Sequence, residues 1–329
     1  MKGVLMDRVE FFSYYFDVES RQAFNKEAIV TIDNFHKLIG AYQFSEPVAC
    51  QLTRQGGKCG RPHNKGWLGL TTTGDEVLIG GVCANNYFKA DTNFITEKKR
   101  VNTELEFRRY NELIDDFLAQ RVDIESALKM LHRDVVSLRS LQTNMLNNLP
   151  QEVSIFLKNA EKTKNRKVSI ELKYEEFDQE TKHTHVSWIT KDMGNVKSAS
   201  FIDLNKIADY YRRISDIENT FTHIDSTSER TERTERTLKK LKKWCEKLSS
   251  FEQLRNDVDE SIKEYQAFIA LDNLKLLLLI TSTHSSRKAI TGLIHANHYG
   301  EVSTPDKYIT HFDEEIRKSN GGRSFRLMR

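Results

Sequence analysis

The sequence predicts an α+β fold that is predominantly helical, and three observations predict it. Three of the four cysteines, one histidine and more than half of the glycines crowd into residues 50–83. Long stretches outside that segment carry apolar residues at alternating spacings of three and four, the pattern of helices that bury one stripe. Residues 167–201 switch instead to a two-residue alternation, the pattern of antiparallel strands with one wet face. The expected assembly is an N-terminal metal-stabilised module, long antiparallel coiled-coil helices and a small antiparallel β-meander.

Composition bounds the function classes. The 329 residues carry 50 basic and 47 acidic side chains, a net charge of +3 that does not by itself mark a polyanion-binding protein. The N-terminus meets charges too early for the apolar core of a signal peptide. The greasiest run, residues 274–280, contains Lys275 and is too short to cross a bilayer. A soluble, cytoplasmic protein without membrane association is expected, in a reducing compartment where thiolates serve a metal better than a disulfide.

Taken in order, residues 1–45 open with the aromatic cluster Phe11, Phe12, Tyr14, Tyr15 and Phe16. Ile32, Phe35 and Ile39 then recur at helical spacing before Gly40, which predicts a short helix closed by that glycine.

Cys50, Cys59, His63 and Cys83 follow, a Cys3His set suited to tetrahedral zinc. Gly56, Gly57 and Gly60 permit a tight turn around Cys59, and residues 67–72 and 76–79 read as two strands joined at Gly74 and Asp75. Cys83 sits where a helix can begin. A ligand-bearing turn, a hairpin and a last ligand at a helix start resemble the treble-clef layout of zinc fingers. The resemblance is confined to this stretch, which offers C-x3-H where that layout has C-x2-C and draws Cys50 from upstream. Four protein ligands leave no open position, so the zinc would be structural. Residues 69–74 have the glycine spacing of a phosphate loop, but Asp75 and Glu76 stand where Lys-Ser would be required, and that reading is rejected.

Residues 97–149 predict one helix reaching about 75 Å at a rise of about 1.5 Å per residue, which demands a partner helix. Its seam runs Tyr110, Leu113 and Phe117, slips in phase near Arg121, and continues through Ile124, Leu128, Leu131, Val135, Leu138 and Met145 to the stop at Pro150. The meander's strands are expected at residues 167–175, 183–190 and 196–201. Asp203 caps a helix with stripe Leu204, Ile207, Tyr211, Ile214, Ile217 and Phe221. The tripeptide repeat at residues 229–237 leads into a second long helix from Leu238 to Ile269, expected to fold back on the first, with Cys245 on its seam as plain core. A helix near 287–298 and a mobile polar tail close the chain. The expected divisions are residues 1–93, a zinc-binding module; 94–270, the stalk with its meander at about 167–201; and 271–329.

Three groups outside the cysteines invite chemistry. Glu171 and Lys173 share one strand face, as in metal-dependent nucleases, with His183 and His185 across the hairpin; a solvated face is the plainer account. His284, Lys288, Thr291, His295 and His298 fall on one helical stripe, most simply a wet face. Lys239, Lys240, Lys242 and Lys243 beside Trp244 could track a nucleic-acid backbone, although glutamates nearby favour the charged outer face of a coiled coil. Common hydrolase, phosphate-loop and dinucleotide motifs are absent. The sequence therefore points to a non-enzymatic, homo-oligomeric adaptor or regulator, with a protein partner ahead of nucleic acid. The competing reading is a metal-dependent nuclease or phosphodiesterase using Glu171 and Lys173.

Overall fold

The structure, a computed structural model, describes residues 9–180, 182–226, 230, 232, 234–300 and 304–327. It is a mixed α+β protein in which helices predominate, with three small sheets among the described residues. In chain order the elements are β1 (Glu10–Phe12), α1 (Tyr15–Glu19), β2 (Phe35–Ala49), β3 (Thr53–Arg54), β4 (Gly57–Lys58), β5 (Pro62–Thr71), β6 (Glu76–Gly80), α2 (Gly81–Tyr87) and α3 (Thr92–Ala119). They continue with α4 (Arg121–Asn148), α5 (Gln151–Thr163), β7 (Lys167–Phe177), β8 (Thr184–Asn195), α6 (Leu204–Asp225), α7 (Glu235–Ser249), α8 (Phe251–Ile269), α9 (Leu271–Leu277), α10 (His284–Asn297), α11 (Pro305–Ser319) and β9 (Phe325–Leu327). The chain divides into two compact units, one of residues 1–120 with 221–248 and one of residues 121–220 with 249–329. No helix of the described residues is long and apolar enough to cross a membrane.

The first unit is built on a four-stranded sheet of order β1-β2-β5-β6, in which β1 runs parallel to β2 and the other pairs are antiparallel. One buried cluster gathers Leu38, Val77, Ile79, Phe88, Phe94 and Val101 around Cys50; another gathers Phe12, Tyr42, Phe44, Leu68 and Leu78. Phe94 of α3 stacks on Phe88 with ring centroids 4.3 Å apart. Burying each of these rings contributes about 1.5–3 kcal/mol. The expected helix at Ile32, Phe35 and Ile39 is instead the start of the long strand β2, and Gly40 lies within it, opposite Glu10. The three residues share no buried face: Ile32 is exposed in the turn before β2, Phe35 joins the Cys50 cluster and Ile39 packs against the Tyr42 cluster. The strand itself carries register shifts, between Phe35 and Lys37 and between Leu38 and Gly40. The ladder is broken at Leu38, and α3 repairs it: the Leu38 amide donates to Glu97 (3.0 Å) and Arg100 donates to the Leu38 carbonyl (2.6 Å). Neither backbone group is left bare.

The helix expected over residues 97–149 is two helices, with a break at Gln120 where the apolar phase slips. In α3 the buried positions are Phe94, Val101, Phe107 and Ile114, while Tyr110, Leu113 and Phe117 are half-buried beside them. The expected second long helix is likewise interrupted, at Ser250 between α7 and α8. Residues 229, 231 and 233 of the tripeptide repeat lie outside the described residues.

The second unit is held by apolar stripes. All six seam positions of α4 from Ile124 to Met145 are buried, and α4 packs against α8, which buries Leu254 and Val258. The hairpin of β7 and β8 matches expectation, and Val168, Ile170 and Leu172 face inward. Its third strand does not. Residues 196–201 leave the sheet for a 3-10 turn at Ala199–Ile202, where Lys197 donates its amide to Asn273. The third place belongs to β9, which pairs antiparallel with Ile170 to Leu172. The tail, expected to be mobile, thus contributes a strand at Phe325–Leu327. Between α10 and α11 the Arg287 fork holds both oxygens of Asp313 at 2.6 and 2.8 Å.

Candidate metal centre

Residues 53–65 contain no large apolar side chain, so this loop cannot fold by burying itself. Backbone bonds give it shape. β3 and β4 form a minimal hairpin whose two-residue turn, Gln55 and Gly56, has φ of 52° and 81°, both in the left-handed region that such turns require. The Cys59 amide donates to the Leu52 carbonyl, the Gly60 amide to the Cys50 carbonyl and the Cys50 amide to Arg61. Cys50 and Cys59 are thereby brought side by side. Buried Gln51 fastens the base: its amide nitrogen donates to the carbonyls of Asn25 (2.7 Å) and Ala28 (3.0 Å), and its oxygen accepts from the Leu78 amide (2.8 Å). Cys83 arrives from α2, directly after β6.

The three sulfurs lie within 4.8 Å of one another, and those of Cys59 and Cys83 are 3.9 Å apart. A disulfide needs about 2.05 Å; the cysteines are free thiols. The edge of a tetrahedron with metal–sulfur bonds of about 2.3 Å is about 3.8 Å, so the observed spacing fits three corners of such a site. This cluster could hold a metal ion.

The thiols are not equivalent. Burial pushes Cys50 up, with Cys59 adding to the rise, and burial with the neighbouring Cys50 and Cys59 pushes Cys83 up to about 11. Burial also works against ionisation of Cys59. Hydrogen bonds to its sulfur from the Arg61 amide and from Cys83 and Cys50, with the Arg54 charge, outweigh that and bring it below its ordinary value.

The mutually close ligand atoms are those of the three cysteines and do not include His63. His63 lies on β5 with Nδ1 3.0 Å from the Tyr42 hydroxyl, and its Nε2 is buried without a hydrogen-bond partner. Burial lowers its pKa to about 4, so the ring is neutral. It also rests on Gly80, where a Cβ would come within 2.4 Å of the ring. Tyr42 carries no sequence signal for this role, since it lies 21 residues from His63 on another strand. Its hydroxyl is held far above the usual range by burial and then by Cys50 and Cys83.

Beside the sulfurs a cavity of about 360 Å³ is lined by Thr53, Arg54, Cys59, Arg61, Cys83 and Tyr87, among others.

The other candidates are dispersed. Glu171 accepts from Arg326 of β9 at 2.6 Å, and Lys173 pairs with Glu175. His185 Nε2 stands 3.8 Å from the Asp178 carboxylate, and His183 gives its carbonyl to the Asp178 amide. Among the described residues no three ligand groups converge there. On α7, Lys239, Lys242 and Lys243 are exposed and Lys240 half-buried; Lys239, Lys240 and Lys243 border a shallow hollow with Glu235 and Arg236. The histidine stripe is not a uniformly wet face: Thr291 is fully buried, His298 Nε2 meets the Ile269 carbonyl at 2.7 Å, and His284 and Lys288 share Asp306. Cys245 is buried, with its thiol on the Tyr110 carbonyl at 3.6 Å.

Comparison of the chain with known protein families, with curated proteins and with solved structures finds no match.

Proposed function

We propose that the protein is a non-enzymatic interaction protein, an adaptor or regulator whose N-terminal module is set by structural zinc. The observation that carries this reading is the convergence of the Cys50, Cys59 and Cys83 sulfurs within 4.8 Å of one another. Cys50, Cys59, Cys83 and His63 would hold the ion. In the tautomer whose Nδ1–H is donated to Tyr42, the Nε2 lone pair is free, the arrangement that a ligating histidine adopts toward its outer partner. Zinc would supply a cross-link to a loop with no core of its own, and its four protein ligands would complete the treble-clef-like module. The helices, pairing with one another or with a second copy, would set oligomeric state and reach.

The ion pairs that engage Glu171 and Lys173 favour this reading over the nuclease. The deciding measurement is metal content of the purified chain together with its mass in solution. About one zinc per chain is expected, lost in Cys50→Ser and reduced in His63→Ala. A chain that folds fully with no metal ends this reading.

A further inference from the structure

The cavity beside the sulfurs is bordered by two guanidinium-bearing residues and no acid. Arg54 and Arg61 are exposed, and among the described residues neither meets a carboxylate. Other arginines of this protein behave otherwise: Arg21 binds Glu76, Arg213 binds Asp257 and Arg287 binds Asp313. A zinc site of three thiolates and one neutral imidazole carries one net negative charge, enough to offset one arginine and not two. Residues 50–90 hold five basic side chains, Arg54, Lys58, Arg61, Lys65 and Lys89, against Asp75 and Glu76. Both acids are already engaged, by Asn25 and by Arg21.

Basic side chains recur beyond the cavity, on α3 and at the start of α7. Asn86 is part of the cavity wall, and Asn85 next to it accepts from Lys98, whose ammonium lies 5.0 Å over the Trp67 ring. Lys99 pairs with Glu235 at the start of α7 at 2.5 Å. Glu235 and Arg236 border the hollow that Lys239, Lys240 and Lys243 complete. Arginine forks match phosphate oxygens, and a cationic track with aromatic rings beside it suits a sugar–phosphate chain.

We propose that this track binds the phosphodiester backbone of a nucleic acid, with one phosphate seated between Arg54 and Arg61 in the cavity. The proposal rests on the zinc-module reading and names its partner.

The test is fluorescence anisotropy of the zinc-loaded full chain with short labelled oligonucleotides of mixed sequence, single- and double-stranded, across a salt series. Affinity is expected to fall as salt rises. Replacing Arg54 and Arg61 by Glu is expected to cost roughly fivefold for each arginine at physiological salt and to flatten the salt slope by about one contact each. Lys239→Glu and Lys243→Glu are expected to act in the same direction. The Arg54→Gln/Arg61→Gln pair, with metal content measured alongside, separates lost phosphate contacts from a lost fold. Wild-type binding by a variant lacking both arginines overturns the proposal. So does binding indifferent to salt, or displacement by polyglutamate as readily as by oligonucleotide. Any of these with zinc still bound leaves the metal module standing and removes only its partner.

Discussion

The two units of this chain reach order by different means. In the second, α4 and α8 bury long runs of mostly apolar side chains, and removing one contact leaves many. In the first, the loop between Leu52 and Gly66 has one thiol, an imidazole and backbone bonds in place of apolar bulk. The difference teaches where each unit should fail. A core of many weak contacts yields by degrees, whereas a loop tied at one point is lost when that point is cut.

The largest expected effect tests that directly. Structural zinc contributes an apparent 10–16 kcal/mol, roughly, in isolated finger peptides. Chelation, or Cys59→Ser, is therefore expected to strip amide-exchange protection from residues 50–63 and leave α4 and α8 protected. Uniform loss across both units, or none in the loop, would break the contrast.

Cutting the second unit's core gives the next effect. Leu254→Ala removes a fully buried side chain and is expected to cost about 2–5 kcal/mol. Thermal melting reports the loss, and metal content should stay at the wild-type level. Gln51→Leu deprives three backbone groups of their partner, at about 1–3 kcal/mol for each, and unlike Leu254→Ala it should lower metal occupancy because Gln51 anchors Cys50. Similar metal content in both variants would show that the loop does not depend on its base.

Acid should separate the units as well. Cys50 and Cys83 have raised pKa values and are protonated near neutral pH in the metal-free protein. Zinc binding would displace those protons, so uptake should release at least about two per ion and apparent affinity should fall at least about a hundredfold per unit of pH decrease. Calorimetry in buffers of different ionisation enthalpy measures the release. A value near zero would exclude the thiols as ligands.

How much of this was legible in the sequence depends on how far apart the cooperating residues lie. The clustered cysteines, the β5–β6 hairpin and the helix start at Cys83 are local patterns, and the α4 seam is a long periodic one. Each could be read directly. The strand β2 could not, because Ile32, Phe35 and Ile39 fall at a helical spacing although one is exposed and the other two join different clusters. The third strand of the hairpin sheet could not either: Val196 and Phe201 are buried as a strand's residues would be, but their neighbour Lys197 is held by Asn273, and the pairing goes to a segment about 155 residues away, as in Glu171 with Arg326. Tyr42 and the unpaired arginines of the cavity were hidden for the same reason. Their roles exist only once the strands are brought together.

The smallest expected effect sharpens the distinction between a site and a surface. Glu171 and Arg326 form an ion pair at 2.6 Å, with their side chains 25% and 54% exposed. Water screens such a pair, and exposed pairs contribute about 0.2–1 kcal/mol. Arg326 also lies 4.2 Å from the Trp188 ring centroid, so it keeps a packing contact when the carboxylate is removed. Glu171→Gln is therefore expected to lower stability by less than about 1 kcal/mol, an effect that shrinks further in high salt. Neither metal content nor oligonucleotide binding should change. If the purified chain cleaves labelled DNA or RNA with Mg²⁺ or Mn²⁺ and Glu171→Gln abolishes that cleavage, the carboxylate is a metal ligand and the hairpin is an active site.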